Sequence, residues 1–125
     1  MGFDRNRVVS SVMRGSQKIF INDLTACATT ADVLEALAAM EANTRLQTEK
    51  MRTVTDITGV NIDSQVMDRA NKLGKELFNR MALRSAIVGV VGYKRILLRA
   101  FTFFSGIAPV PFDDRAAAID YVAKD

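Results

Sequence analysis

The chain of 125 residues contains no histidine and no tryptophan, and it has only one cysteine and two prolines. The absence of histidine excludes Ser-His and Cys-His nucleophile pairs, the usual zinc ligands and the commonest general base near neutral pH. A single thiol, Cys27, rules out an internal disulfide, fits a reducing compartment and reads as a small buried hydrophobe. Apolar stretches are broken by charge within about ten residues, against the roughly 20 that a membrane-spanning helix needs, so no transmembrane segment is expected. The run Met1-Gly2-Phe3-Asp4-Arg5-Asn6 lacks the apolar core of a secretory signal, and Asn6 stands where a myristoylation motif has Ser or Thr. Together these absences predict a cytoplasmic protein that binds and does not catalyse, with no metal and no other cofactor.

What is present suffices for one hydrophobic core: 49% of the residues are apolar, and the length suits a single domain spanning 1–125. The net charge of +3 is unevenly spread. Between Arg69 and Arg99 stand eight basic residues and one acid, Glu76, a local net of +7, which leaves the remainder at −4. Such asymmetry steers acidic or phosphate-bearing partners, or it forms a solvated basic face.

Periodicity and turn chemistry order the elements as β-β-α-β-α-β-α-β-α. Val8 to Met13 and Lys18 to Asp23 flank Arg14-Gly15-Ser16-Gln17 as an amino-terminal hairpin. Thr29 or Thr30, with Asp32, caps a helix that fades past Asn43. Met51 to Thr58 is rich in β-branched residues and ends at Gly59, so it reads as a strand. Asp63 and Ser64 cap the clearest helix, in which Val66, Ala70, Leu73 and Leu77 recur through Met81, and Asp68–Lys72 and Glu76–Arg80 are i,i+4 pairs. Ser85 to Val91 reads as a strand buried on both faces. A helix from Tyr93 to Ser105 is apolar around more than one stripe, and Ile107 to Val110 forms a last edge strand beside Pro109 and Pro111. Phe112 and Asp113 then read as staple and cap of a terminal helix with Ala117, Ile119 and Val122 available for burial. Alternation on this scale implies an α/β domain with a mostly parallel sheet of four or five strands and about four helices.

At Asp56-Ile-Thr-Gly-Val-Asn-Ile-Asp63-Ser64, and again at Ser85-Ala-Ile-Val-Gly89-Val-Val-Gly92-Tyr-Lys94-Arg-Ile-Leu, the chain resembles the STAS-like family related to sporulation anti-sigma-factor antagonists. Phe112-Asp113 followed by an alanine-rich helix is similar to that family's small bacterial members. The resemblance covers about residues 17 to 123. It implies a STAS-like fold and a regulatory or protein-interaction role without chemistry of its own. In the antagonists a helix opens with Asp-Ser-Ser-Gly, whose second Ser is phosphorylated. Here Gln65 and Val66 follow Asp63-Ser64, so the phosphoserine switch is expected to be missing. Proteins of this type are also grouped with CRAL-TRIO lipid-binding domains, which implies an alternative role as a carrier or sensor of a lipid-like or anionic ligand.

Three sets of residues are candidates for that binding. Asp56, Gly59, Asp63 and Ser64 form a strand-to-helix turn where α/β sheets hold ligands, and where such residues also cap helices and brace turns. Gly89, Gly92, Lys94 and Arg95 place two glycines and two cations at a helix start, an arrangement that an anion would relieve. Arg69, Lys72 and Lys75, with Phe101, Phe103 and Phe104, offer an interaction surface. The partners expected are a protein or a second copy of the chain, or an apolar or anionic small molecule. Nucleic acid is not expected, because the interleaved aromatic and basic pattern of RNA-binding sheets is absent.

Overall fold

A computed structural model describes residues 2–125, and Met1 lies outside them. After a short 3-10 turn at Arg5–Arg7, β1 (Val9–Arg14) and β2 (Gln17–Asp23) pair antiparallel around Gly15, whose φ of +59° suits a two-residue hairpin. Helix α1 (Thr30–Leu46) opens with a full capping box: Thr29 accepts from the Asp32 N–H while Asp32 accepts from the backbone of Ala28 and Thr29. Strand β3 (Met51–Asp56) follows, and Asp63 accepts from the Val66 N–H to cap α2 (Ser64–Leu73). That helix continues without a break through a π turn, Gly74–Phe78, into its last turn α3 (Asn79–Met81). The rest comprises β4 (Ala82–Val88), α4 (Lys94–Ser105), β5 (Val110–Phe112) and α5 (Arg115–Val122).

The five strands lie in sequence order, β1-β2-β3-β4-β5, and every neighbouring pair after the hairpin is parallel. Successive right-handed crossovers that all step in one direction put their helices on one face of a sheet. Helices α1, α2 and α4 share that face, while α5, which follows the last strand, covers the other. Strand alternation then divides the side chains. Ile19, Ile21, Val54, Ala86 and Val88 pack with Ala118 and Val122 under α5, whereas Val33, Ala36, Leu37, Val66 and Leu73 form a second core on the three-helix side. Arg52, buried in β3, donates to the carbonyls of Val122 and Lys124 and so closes the carboxyl end of α5.

The element order matches the sequence reading, and several boundaries differ from it. Strand β3 stops at Asp56, because Asp56 turns to accept from the Thr58 N–H and hydroxyl. Strand β4 begins three residues early and is not buried on both faces: only Ala86 and Val88 are fully buried, and Leu83 bulges out where the register slips against Met51 and Arg52. The last strand is Val110–Phe112, set by parallel pairing of Ala86 with Val110, and the cap of α5 is Asp114 instead of Asp113. Neither expected ion pair on α2 forms among the described residues. Arg80 donates to the Glu76 carbonyl at the widened turn, and Arg69 pairs across to Glu41 of α1.

The π turn itself is not foreshadowed in the periodicity. It sits where the chain packs tightly against α4. A Cβ on Gly74 would lie 2.7 Å from that of Ser105 and 2.9 Å from the Phe101 ring.

Candidate functional site

The two faces of the sheet are unequally filled. Facing the three helices, Asn22 of β2, Thr53 and Thr55 of β3 and Ser85 of β4 make a polar floor. Asn22 donates to the Thr55 hydroxyl at 3.2 Å, and the Thr53 hydroxyl to that of Ser85 at 3.4 Å. Above them Leu37 and Met40 of α1, Val66 and Ala70 of α2, and Leu97, Leu98 and Phe101 of α4 form an apolar roof. Floor and roof enclose a partly open cavity of about 180 Å³. The bulge at Leu83 brings Ala82, three residues before Ser85, onto the same wall.

At the carboxyl ends of the strands the cavity wall includes Ile57, Val90 and Lys94. Lys94 is the first residue of α4 and only 6% exposed, and its ammonium donates to the Ile57 carbonyl at 3.0 Å. Its neighbour Arg95 faces solvent. The two cations expected to share one cradle therefore point apart, because consecutive helical residues lie about 100° apart around the axis. Gly89 has φ +92° and touches the Thr58 backbone, where a Cβ would come within 2.6 Å; it is a close-packing glycine between two loops. Gly92, at φ +59°, makes the turn into α4. Tyr93 fastens the same loops, its hydroxyl accepting from the Ile62 N–H and donating to Asn61.

The turn from Asp56 to Ser64 is held by its own hydrogen bonds. Gly59 takes φ +74°, Asp63 caps α2 and accepts from the Thr30 hydroxyl, and Ser64 is an exposed first-turn residue. The Thr30 hydroxyl, then the Val66 N–H, hold the Asp63 carboxyl below its ordinary value. Asp56 and Asp63 share no hydrogen-bond partner among the described residues. Asp56 instead meets the Arg115 guanidinium at 2.7 Å, which also pairs with Asp23 at 2.9 Å. Burial pushes both carboxyls up, and hydrogen bonds from Thr58 to Asp56, from Thr25 to Asp23, and from Arg115 to both outweigh it, so both end below the usual carboxylate value. Cys27 is half-buried against the three-helix core, where burial, then Asp32 and Asp23, raise its thiol to about 11. A thiol so raised is a poor nucleophile at neutral pH.

Of the candidate interaction residues, Phe101 turns into the cavity roof, while Phe103 and Phe104 lie on the outside of α4 at 82% and 58% exposure, edge to face with each other. Lys72 and Lys75 are exposed on the α2 rod, and Arg69 is engaged by Glu41. Sequence reasoning missed the polar floor, the inward Lys94 and the Arg115 clamp. The alternation Arg52-Thr53-Val54-Thr55-Asp56, with threonine on one face of a strand that reads as interior, was the available signal for the floor.

No family model and no curated protein matches the chain. Among solved structures, an uncharacterised protein of the DUF3478 family with a SpoIIAA-like fold, from Shewanella loihica PV-4, superposes with a TM-score of 0.62 at 18% identity, covering 91% of each chain. No helix of the described residues is long and apolar enough to cross a membrane. The five-stranded mixed α/β architecture is thus the SpoIIAA-like, STAS-like fold.

Proposed function

We propose that this chain is a non-enzymatic regulatory module that senses or carries a small, largely apolar molecule held between sheet and helices. The observation that carries the reading is the half-open cavity with an apolar roof and a hydrogen-bonding floor. Ligand sites characteristically combine an apolar lining with a few placed polar groups. A volume of about 180 Å³ suits a ligand of on the order of ten non-hydrogen atoms, since an apolar cavity of roughly 150 Å³ takes up benzene.

An interaction role is favoured by a separate feature. Helix α4 roofs the cavity with Leu97, Leu98 and Phe101 and presents Phe103 and Phe104 outward, so one element touches both the ligand space and the protein surface. The SpoIIAA-like fold suits a regulatory or interaction module of this kind. The missing Ser-Gly after Ser64 argues for a ligand as the signal in place of phosphorylation. The test is a small-molecule screen by protein-observed NMR. Ligands should shift resonances of Thr53, Thr55, Leu97 and Phe101 together; hits that shift only exposed residues would refute the reading.

A further inference from the structure

The cavity wall contains a cation with no counter-charge. Lys94 is 94% buried, yet it takes part in none of the ion pairs among the described residues. Its ammonium has three donors, and the one hydrogen bond assigned to it goes to the Ile57 carbonyl. That carbonyl already accepts from the Val60 N–H at 3.0 Å, so its two lone pairs are both used. A buried charge left unpaired is costly, and proteins pair or solvate such groups. Both Lys94 and Ile57 line the cavity, whose other lining side chains carry no charge.

We infer that the counter-charge comes from the ligand, and that the cavity takes a small amphiphile with one anionic head, a medium-chain carboxylate in its simplest form. The head would accept from Lys94 in a charge-assisted hydrogen bond, and the tail would run along the roof made by Val66, Ala70, Leu97, Leu98 and Phe101. This inference rests on the cavity being a ligand site and adds the class of ligand. It also accounts for Lys94 pointing inward while Arg95 points out: only the inner cation can meet a head group inside the cavity.

The test is calorimetric titration of the full chain with sodium octanoate, 1-octanol and sodium acetate, repeated on Lys94→Met. Octanoate should bind the parent about tenfold or more tighter than octanol, the usual margin for a hydrogen bond to a charged group. Lys94→Met should lose that margin, leaving octanoate no tighter than octanol. Should the variant fold poorly, ¹³C spectra of lysine side chains in the parent replace it: octanoate must move the Lys94 Cε resonance and octanol must leave it in place. If octanoate and octanol bind alike and Lys94→Met changes neither, Lys94 only stitches two loops and the inference falls while the cavity reading stands. Acetate binding as tightly as octanoate would also overturn it, in favour of a bare anion site. If neither octyl compound binds, the cavity reading falls as well.

Discussion

The two faces of one sheet solve the covering problem differently. Under α5 the strands present Ile19, Ile21, Val54, Ala86 and Val88, all 5% exposed or less, against Ala118 and Val122. Under α1, α2 and α4 the same strands present Asn22, Thr53, Thr55 and Ser85, and the helices stand off far enough to leave a hollow. Close packing is the default for protein interiors, because each void forfeits dispersion contacts and hydrophobic transfer. A face that combines hydroxyls with empty space is therefore retained at a cost in stability, and that cost is expected where function needs room.

Large-to-small substitutions should separate the two faces most visibly. Ile19→Ala, on the filled face, is expected to destabilise by about 2 to 5 kcal/mol, whereas Leu98→Ala in the cavity roof should cost about 1 kcal/mol, because its side chain already borders a void. Urea unfolding of both variants measures the contrast. Equal losses would mean that the two faces are packed alike. The reverse substitution sharpens the point. Ala118→Leu should cost about 1 to 3 kcal/mol by overpacking. Ala70→Leu grows into the hollow and should leave stability unchanged or raise it by up to about 1 kcal/mol, roughly the worth of one well-buried methylene.

The Arg115 clamp joins the ends of β2 and β3 on the filled side, and its contribution follows pH. Asp23 and Asp56 have folded-state values below the unfolded value of about 4. Their stabilisation is thus complete above that value and is lost as pH falls through the lower, folded one. Arg115→Ala should cost about 2 kcal/mol at pH 7, in the range for a hydrogen bond to a charged group. The difference from the parent should shrink as pH falls from about 4 through the lowered folded-state values of Asp23 and Asp56, as the parent's own carboxylates take up protons. A difference that stays constant all the way into the acid range where both carboxyls are seen to protonate would show that the ion pairs are not its source.

The smallest effect is expected on the hollow face. Thr53→Val replaces a floor hydroxyl, whose only partner among the described residues is Ser85 at 3.4 Å, by a methyl of the same shape, and should shift stability by less than about 1 kcal/mol. A thermal melt resolves it, and a loss above that size would mean the floor hydroxyls form a structural network.

How much of this was legible depended on range along the chain. Hairpin, caps and helices rest on neighbours: Gly15 in its turn, Thr29 with Asp32, Asp63 with Val66. Those readings survive contact with the structure, except that the cap of α5 is Asp114 in place of Asp113 and a π turn widens the second helix at Gly74–Phe78. Strand ends fared worse, because register decides them; β5 starts at Val110 only because Ala86 pairs there. The clamp escaped because Arg115 and Asp56 stand 59 residues apart and meet only once α5 packs on the sheet. Lys94 and Arg95 are adjacent and chemically alike in sequence, and only the phase of α4 separates the buried cation from the exposed one. The phenylalanine excess of α4 was visible, and its division into Phe101 inside and Phe103 and Phe104 outside was not.

The hollow beneath the three helices is probed by following amide and methyl NMR resonances while 1-octanol is titrated into the parent and into Ala70→Leu. Perturbations confined to Thr53, Thr55, Val66, Leu97, Leu98 and Phe101 in the parent, and abolished in the filled variant, are the predicted result. Perturbations that survive Ala70→Leu unchanged, or that fall on the α5 face around Ala118 and Val122, would contradict it.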